Sequence, residues 1–251
     1  MNKRSARNPK VLLDSMNQNA LLQKENTEAF FGFGVMGLTF NSGHILALRM
    51  FPSSSIGPGY ISVWHRNPAG EWTFYQNVAP QFACPRYFGK TISKAMVRNI
   101  IINWVSDDSF QVTIEEDINL NWRISVTSTP ATRFMNILSN MLPESLWQNK
   151  PFLKVMGGMA GKMLDAGHIG LSGMAPNGQS FIANPRQIWM INSSKATLNG
   201  EDLGAIAPLQ EQARLADFWI PQRGIFAIGG ASFEAYEPSM HNLVTDMQPA
   251  E

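Results

Sequence analysis

Three acidic residues at the end of a predicted strand are the part of the sequence best suited to acid–base chemistry. Counting by twos from Phe110 places Glu116 on the apolar face of that strand, and Asp117 follows directly. A carboxyl group drawn into an apolar cavity has a raised pKa and can act as a general acid or base. An acidic cluster next to Asn119 also fits a solvated turn, so both interpretations stay open.

His65 and Cys84 are two further side chains with catalytic chemistry. His65 falls on a predicted strand beside Ile61 and Val63, where it is either a proton shuttle in a pocket or a histidine bonded to a loop carbonyl. Arg86 can lower the pKa of Cys84, but the sequence shows no histidine partner for this thiol. The sequence therefore favours a buried structural thiol over a nucleophile.

Aromatic and arginine side chains recur near the predicted strand ends, and these residue types suit a small-molecule pocket. Arginine and tryptophan can stack on each other, and arginine can fix a carboxylate or enol oxygen. The predicted ligand-binding residues are Trp64, Tyr75, Cys84, Arg86, Tyr87, Trp122, Arg186, Trp189 and Arg223. An arginine that covers an indole at a sheet end explains the same pattern.

Neither a metal nor a cofactor is expected. The four histidines have no metal-ligand spacing, either with one another or with the cysteine. Residues 32–37 match G-x-G-x-x-G, but the residues that follow do not sustain a helix and no acid lies about 20 positions on. We interpret residues 32–37 as a glycine-bearing strand that is bent or bulged.

The elements that must position these side chains are mostly strands. From residue 30 to about 130 the dominant period is two, which is typical of strands, and the pattern returns from 167 to 228. Residues 60–66 and 71–78 form one predicted hairpin, and residues 99–105 and 110–116 form another. Shorter strands are predicted at 167–173, 179–183, 187–191 and 195–198. The fold class is therefore mainly β, an antiparallel barrel or strongly curved sheet that curls around an apolar hollow.

A helical pair is inserted at about residues 131–165, where apolar residues recur at intervals of three and four. Thr129-Pro130 resembles a helix start, and Pro143 and Pro151 separate the two helices. Its many methionines fit packing against the sheet, and they also fit a lid or a membrane-docking face. The predicted division is an arm at 1–28, one β-rich domain at 29–238 and a tail at 239–251.

Composition excludes several classes of protein. The chain has 251 residues, a net charge of +1 and 44% hydrophobic residues. This charge gives no reason to expect a nucleic-acid partner, and no apolar run approaches the roughly 20 residues of a membrane span. With one cysteine and no export signal in the sequence, the expected compartment is the cytoplasm.

The segment from Tyr60 to Tyr75, Tyr-Ile-Ser-Val-Trp-His-Arg-Asn-Pro-Ala-Gly-Glu-Trp-Thr-Phe-Tyr, and the strand spacing resemble the lipocalin-like barrels. The resemblance extends weakly to carotenoid hydratases and barrel-type cyclases, and it implies an apolar ligand such as a terpenoid or polyketide. One hypothesis is thus an enzyme for hydration, isomerisation or cyclisation that uses Glu116, Asp117 or His65. The alternatives are a carrier or sensor of a lipid-like molecule and a protein that docks on a membrane or partner. The sequence leaves the oligomeric state open.

Overall fold

The computed structural model describes residues 8–15, 26–115 and 117–242. The strands are β1 (Thr27–Thr39), β2 (Ile45–Ser54), β3 (Tyr60–Arg66), β4 (Trp72–Gln76), β5 (Lys94–Val97), β6 (Ile101–Ser106), β7 (Ser109–Ile114), β8 (Leu120–Thr127), β9 (Ser172–Met174), β10 (Ser180–Leu198), β11 (Glu201–Asp202), β12 (Arg214–Leu215), β13 (Phe218–Trp219) and β14 (Ile225–Glu234). The helices are α1 (Pro9–Ser15), α2 (Pro85–Phe88), α3 (Pro130–Met141) and α4 (Lys150–Met163). The predicted division into arm, domain and tail stays a prediction, and parts of the arm and tail lie outside these ranges.

One large sheet organises the chain, in the order β5-β4-β3-β2-β1-β14-β10-β8-β7-β6. Its neighbouring strands are antiparallel except β4 and β5, which are parallel. Both predicted hairpins are confirmed, as β3–β4 and β6–β7. The prediction of a mainly β fold with an inserted helical pair is therefore confirmed.

The long strand β10 departs from the prediction of three short strands over residues 179–198. It continues through Pro185 because the ladder shifts register beside that residue, and it shifts again between Ile191 and Ser193. Pairing with β14 on one side and β8 on the other holds it together. The prediction of a strand at 167–173 was wrong, since β9 begins only at Ser172.

The sheet curls until strands far apart in its order touch. The Phe33 ring of β1 lies 6.2 Å from Trp104 of β6 and 6.3 Å from Phe110 of β7. Phe33 and Phe110 belong to a buried cluster that also includes Trp122 and Phe226, and Trp104 packs against this cluster. The concave face of the sheet is therefore a packed aromatic core.

The helical pair covers the convex face. Helix α3 begins at Thr129-Pro130, where the Thr129 hydroxyl accepts the backbone N–H of Thr132, and it ends before Pro143 as predicted. A 3₁₀ turn, Glu144–Gln148, leads to α4. Within the described ranges, none of the helices combines the length and hydropathy that crossing a bilayer requires.

Residues 32–37 lie inside β1, and β2 follows rather than a helix. A Cβ added at Gly32 would lie 2.0 Å from the Met50 carbonyl oxygen of β2, so the close approach of the two strands requires glycine. The register shifts on both sides of this stretch, as expected of a bulged strand. The interpretation as a bent strand is confirmed.

Candidate functional site

A cavity of about 140 Å³ lies between the convex face of the sheet and the helical pair. We call it the convex-face cavity. The sheet leaves room for it because many of its residues there are small, namely Gly32, Gly34, Ala183, Ala227, Gly229 and Ala231. We call this sheet side the floor of the cavity. Gly32 of β1 pairs with Gly229 of β14 there, so two glycines far apart in the sequence lie side by side in the floor.

The helical pair supplies the opposite wall. Its lining side chains are Met135, Asn136, Ser139, Trp147, Met156, Ala160 and Leu164. Asn136 is held by two hydrogen bonds to the backbone of Ile188 in β10. Arg186 fixes the 3₁₀ turn, because it binds the Glu144 carboxylate and its guanidinium lies 5.0 Å from the Trp147 ring. The methionines of the pair thus line a cavity as well as pack against the sheet.

Arg49 places a positive charge in the cavity wall. It lies on β2 and is 5% exposed. Its Nη1 donates to the carbonyl oxygens of Val35 at 2.5 Å and Leu48 at 2.7 Å, and its guanidinium lies 4.5 Å from the centre of the Trp64 ring. Burial lowers the pKa of Arg49 to about 10, which still leaves it protonated at neutral pH.

Three polar atoms that belong to cavity-lining residues are buried without a hydrogen bond. They are the Ser139 hydroxyl, the Trp147 indole nitrogen and the Asn184 side-chain oxygen, and none finds a partner among the described residues. Buried polar atoms are hydrogen-bonded in the great majority of native structures. Each of the three residues therefore has a donor or an acceptor that no described residue satisfies.

The lining of the cavity limits its chemistry. Of the described residues that line it, Arg49 is the one that ionises, and the rest are apolar, glycine or neutral polar. A guanidinium with a pKa of about 10 holds its proton and is a poor acid or base at neutral pH. The wall can bind and orient a molecule, but its described side chains supply no proton-transfer group.

The two predicted catalytic residues that the structure describes, Asp117 and His65, each have a partner of their own. Glu116 lies outside the described residues. Asp117 sits in the turn before β8 and forms an exposed ion pair with Arg98 at 2.9 Å, which lowers the pKa of the carboxyl group. His65 is buried against His44, with 2.8 Å between His65 Nε2 and His44 Nδ1.

Arg86 and Tyr87 take part in a buried network around Glu28. The Glu28 carboxylate accepts hydrogen bonds from both side chains, at 2.6 Å from Arg86 Nη2 and 2.5 Å from the Tyr87 hydroxyl, and a third from Gln179 at 3.2 Å. Although burial acts in the opposite direction, these donors and the Arg86 charge lower the pKa of Glu28. The network ties the short helix α2 to strand β1.

The remaining predicted ligand-binding residues lie in four environments. Tyr75, Trp122 and Trp189 belong to the concave core. Cys84 is buried beside the Tyr60 hydroxyl at 3.4 Å, while Arg223 is exposed. Trp64 and Arg186 border the convex-face cavity through their contacts with Arg49 and Trp147. None of the predicted residues that the structure describes lines the cavity itself, and their functional roles stay predictions.

Sequence reasoning missed Arg49, although the sequence carries a signal for it. Residues 45–51 read Ile-Leu-Ala-Leu-Arg-Met-Phe, so a single charge interrupts an otherwise apolar strand. A strand that is apolar on both faces is buried on both faces, and arginine is almost never fully buried unless it is paired. Ser139 and Trp147 have no comparable signal.

Neither the protein-family models nor the curated proteins include a match to this chain. Among solved structures, acetoacetate decarboxylase from Legionella pneumophila subsp. pneumophila str. Philadelphia 1 is similar over 94% of this chain and 95% of that one. The two are 9% identical, and the TM-score is 0.37. A likeness at this level says nothing about activity.

The pair of His65 and His44, in which His65 is buried, should make the stability of the protein depend on pH. Burial, and to a lesser extent His44, lower the pKa of His65 from 6.5 to about 4. The unfolded chain then binds more protons than the folded chain between these values, so stability falls as pH drops from 6.5 to 4, by about 3 kcal/mol in total. Urea unfolding at pH 7 and pH 5 measures the effect.

The His65→Gln variant should lose most of this dependence because it removes the titrating ring. His168 is exposed and lies outside the pair, so His168→Gln is the matched control and should keep the dependence of the parent protein. A His65→Gln variant whose stability falls as steeply as that of the parent would show that other groups cause the effect.

Proposed function

We propose that this chain binds an apolar small molecule in the convex-face cavity, as a carrier or sensor. The observation that carries the proposal is the lining of the cavity, which is apolar apart from Arg49 and a few neutral polar atoms. Ligand pockets combine mainly apolar walls with a few placed polar groups. A cavity between a sheet floor and a helical cover has this composition.

Binding without acid–base chemistry is favoured over the enzyme hypothesis. Hydration or isomerisation needs an acid or a base within hydrogen-bond reach of the bound molecule. Of the three predicted groups, Asp117 is held by Arg98 in an exposed turn and His65 is held by His44, while Glu116 lies outside the described residues. Catalysis by positioning alone, as in a cyclisation, would use the same cavity and the same ligand class.

A cavity-filling substitution tests the site. Ala160 of α4 lines the cavity and is 5% exposed, so Ala160→Phe should occupy the volume that a ligand needs. Val155 on the same helix is 71% exposed, which makes Val155→Phe the matched control. With 1-octanol as a neutral apolar probe, we expect isothermal titration calorimetry to show affinity at least tenfold lower for Ala160→Phe and unchanged for Val155→Phe. Equal affinity in both variants would place the probe elsewhere.

A second proposal, contact with an anionic membrane, is favoured by the outer face of α3. Phe134, Ile137 and Met141 recur there at helical spacing and are 53%, 61% and 76% exposed. The segment from 130 to 165 carries four basic residues (Arg133, Lys150, Lys154, Lys162) and two acidic ones (Glu144, Asp165). Apolar side chains flanked by net positive charge suit an anionic lipid surface.

Vesicle flotation tests this second proposal. The chain should float with vesicles of phosphatidylglycerol and phosphatidylcholine, and less with phosphatidylcholine alone. Ile137→Glu should abolish flotation, because it puts a charge where the apolar face meets lipid. Val105 is 53% exposed on β6, so Val105→Glu is the control and should float normally. A parent protein that stays at the bottom of the gradient removes this proposal.

A further inference from the structure

The charge of Arg49 has no acidic partner in the described part of the chain. The acceptors of its guanidinium are three backbone carbonyls, those of Val35 and Leu48 with that of Met36 at 3.4 Å. No carboxylate of the described residues lies within 4.0 Å of it. A guanidinium has five N–H donors in a planar fork, so three carbonyl contacts leave capacity for an anion.

The side chains around Arg49 do not neutralise it. Its ionisable neighbours are Cys84 and Tyr60, and burial raises the pKa of both, so both are neutral at pH 7. The face of Trp64 and the Phe218 ring, 5.4 Å away, supply a weaker cation–π attraction. Because a buried charge without a counter-charge is costly, proteins usually pair such groups.

Arg49 lines the same cavity that we propose as the ligand site. An anion entering this cavity would meet a desolvated guanidinium that is already held in place by the backbone of β1 and β2. Charge-assisted hydrogen bonds of this kind are about twice as strong as neutral ones. The geometry points to a ligand with one negative group and an apolar body.

We propose that the ligand is an apolar monocarboxylic acid whose carboxylate binds Arg49, an inference that rests on the proposed function. One guanidinium balances one negative charge, whereas a phosphate monoester carries about −1.5 to −2 and would leave charge uncompensated. The apolar body would lie along the small sheet residues and the methionines of the helical pair.

The size of the cavity restricts the acid further. An engineered apolar cavity of about 150 Å³ holds a benzene molecule, and the cavity here has about 140 Å³. A single ring or a short alkyl chain therefore fits better than a long-chain fatty acid. Octanoate is the probe of choice, and 1-octanol is its neutral counterpart.

Isothermal titration calorimetry of the full chain at pH 7.5 tests the inference. The parent protein should bind octanoate at least tenfold more tightly than 1-octanol. Arg49→Met should reduce octanoate affinity to that of the alcohol while changing alcohol affinity less than threefold, and Arg49→Lys should retain part of the preference. Arg123 is exposed on β8, and Arg123→Met should bind both probes like the parent.

The outcomes separate the two proposals. Equal affinity of the parent for octanoate and 1-octanol would overturn the inference and leave the proposed function standing. Binding of neither probe would overturn both. The comparison of acid with alcohol on the parent protein needs no variant, so it remains decisive if Arg49→Met does not fold.

Discussion

Replacing Glu28 by glutamine is expected to lower the free energy of unfolding by about 3 kcal/mol, because a buried ion pair that loses one charge leaves the other uncompensated. Glu28 is 8% exposed, and its carboxylate accepts hydrogen bonds from Arg86, Tyr87 and Gln179. The substitution removes the charge that holds α2 against β1. Urea unfolding followed by tryptophan fluorescence at pH 7 measures the change.

The exposed pair of Asp117 with Arg98 is the matched control. Solvated ion pairs contribute little to stability because water and salt screen them. Asp117→Asn should therefore leave the unfolding midpoint where it is in the parent protein. If the two carboxylates prove equally important, or if Glu28→Gln unfolds like the parent, the network around Glu28 does not hold the fold as described.

The second large effect concerns the floor of the cavity. Gly229→Ala should lower the free energy of unfolding by about 3 kcal/mol, because overpacked sites must move their backbone. The added Cβ would lie 2.2 Å from the Asn184 carbonyl oxygen and 2.9 Å from the Arg186 nitrogen. Gly229 faces Pro185 at the point where β10 shifts its register. Thermal and urea unfolding of the variant would measure the loss.

Gly158→Ala is the matched control, because it makes the same substitution where the added Cβ has open space. Gly158 lies on the exposed side of α4, where an added Cβ meets nothing within 4 Å. Alanine is a better helix former than glycine by up to about 1 kcal/mol, so Gly158→Ala should stabilise the protein. Opposite signs for the two glycine substitutions are the expected result. A neutral Gly229→Ala would mean that the floor is looser than the structure shows.

Two predictions that depended on local patterns were confirmed. The hairpin of β3 and β4 follows from alternation and from Asn67-Pro68-Ala69-Gly70, where Gly70 has a φ of 93°. The start of α3 follows from Thr129 and Pro130. In each case the residues that decide the structure are close together in the sequence.

Strand β10 shows where local patterns fail. Asn184-Pro185 and Ser193-Ser194 look like breaks between strands, because these residue types favour turns. Ladders on both sides carry the strand through these residues, with a register shift at each. Such long-range pairing is not visible in a window of the sequence.

The cavity depends on long-range pairing in the same way. Its sheet side forms where Gly32 of β1 pairs with Gly229 of β14, and these two residues are far apart in the sequence. The predicted apolar hollow on the concave side of the sheet was wrong, because Trp122, Phe110 and Phe226 fill that space as a packed core. The position of Arg49 in an apolar strand could have indicated a buried charge. The backbone carbonyls that bind it could not be predicted from the sequence.

A crystal structure of the octanoate complex is the most direct measurement of the central claim. We predict one octanoate between the sheet and the helical pair, with its carboxylate about 2.7–2.9 Å from the Arg49 guanidinium and its chain along Gly229 and Ala231. An octanoate seated in the concave core, or one in the cavity with its carboxylate turned away from Arg49, would contradict the account.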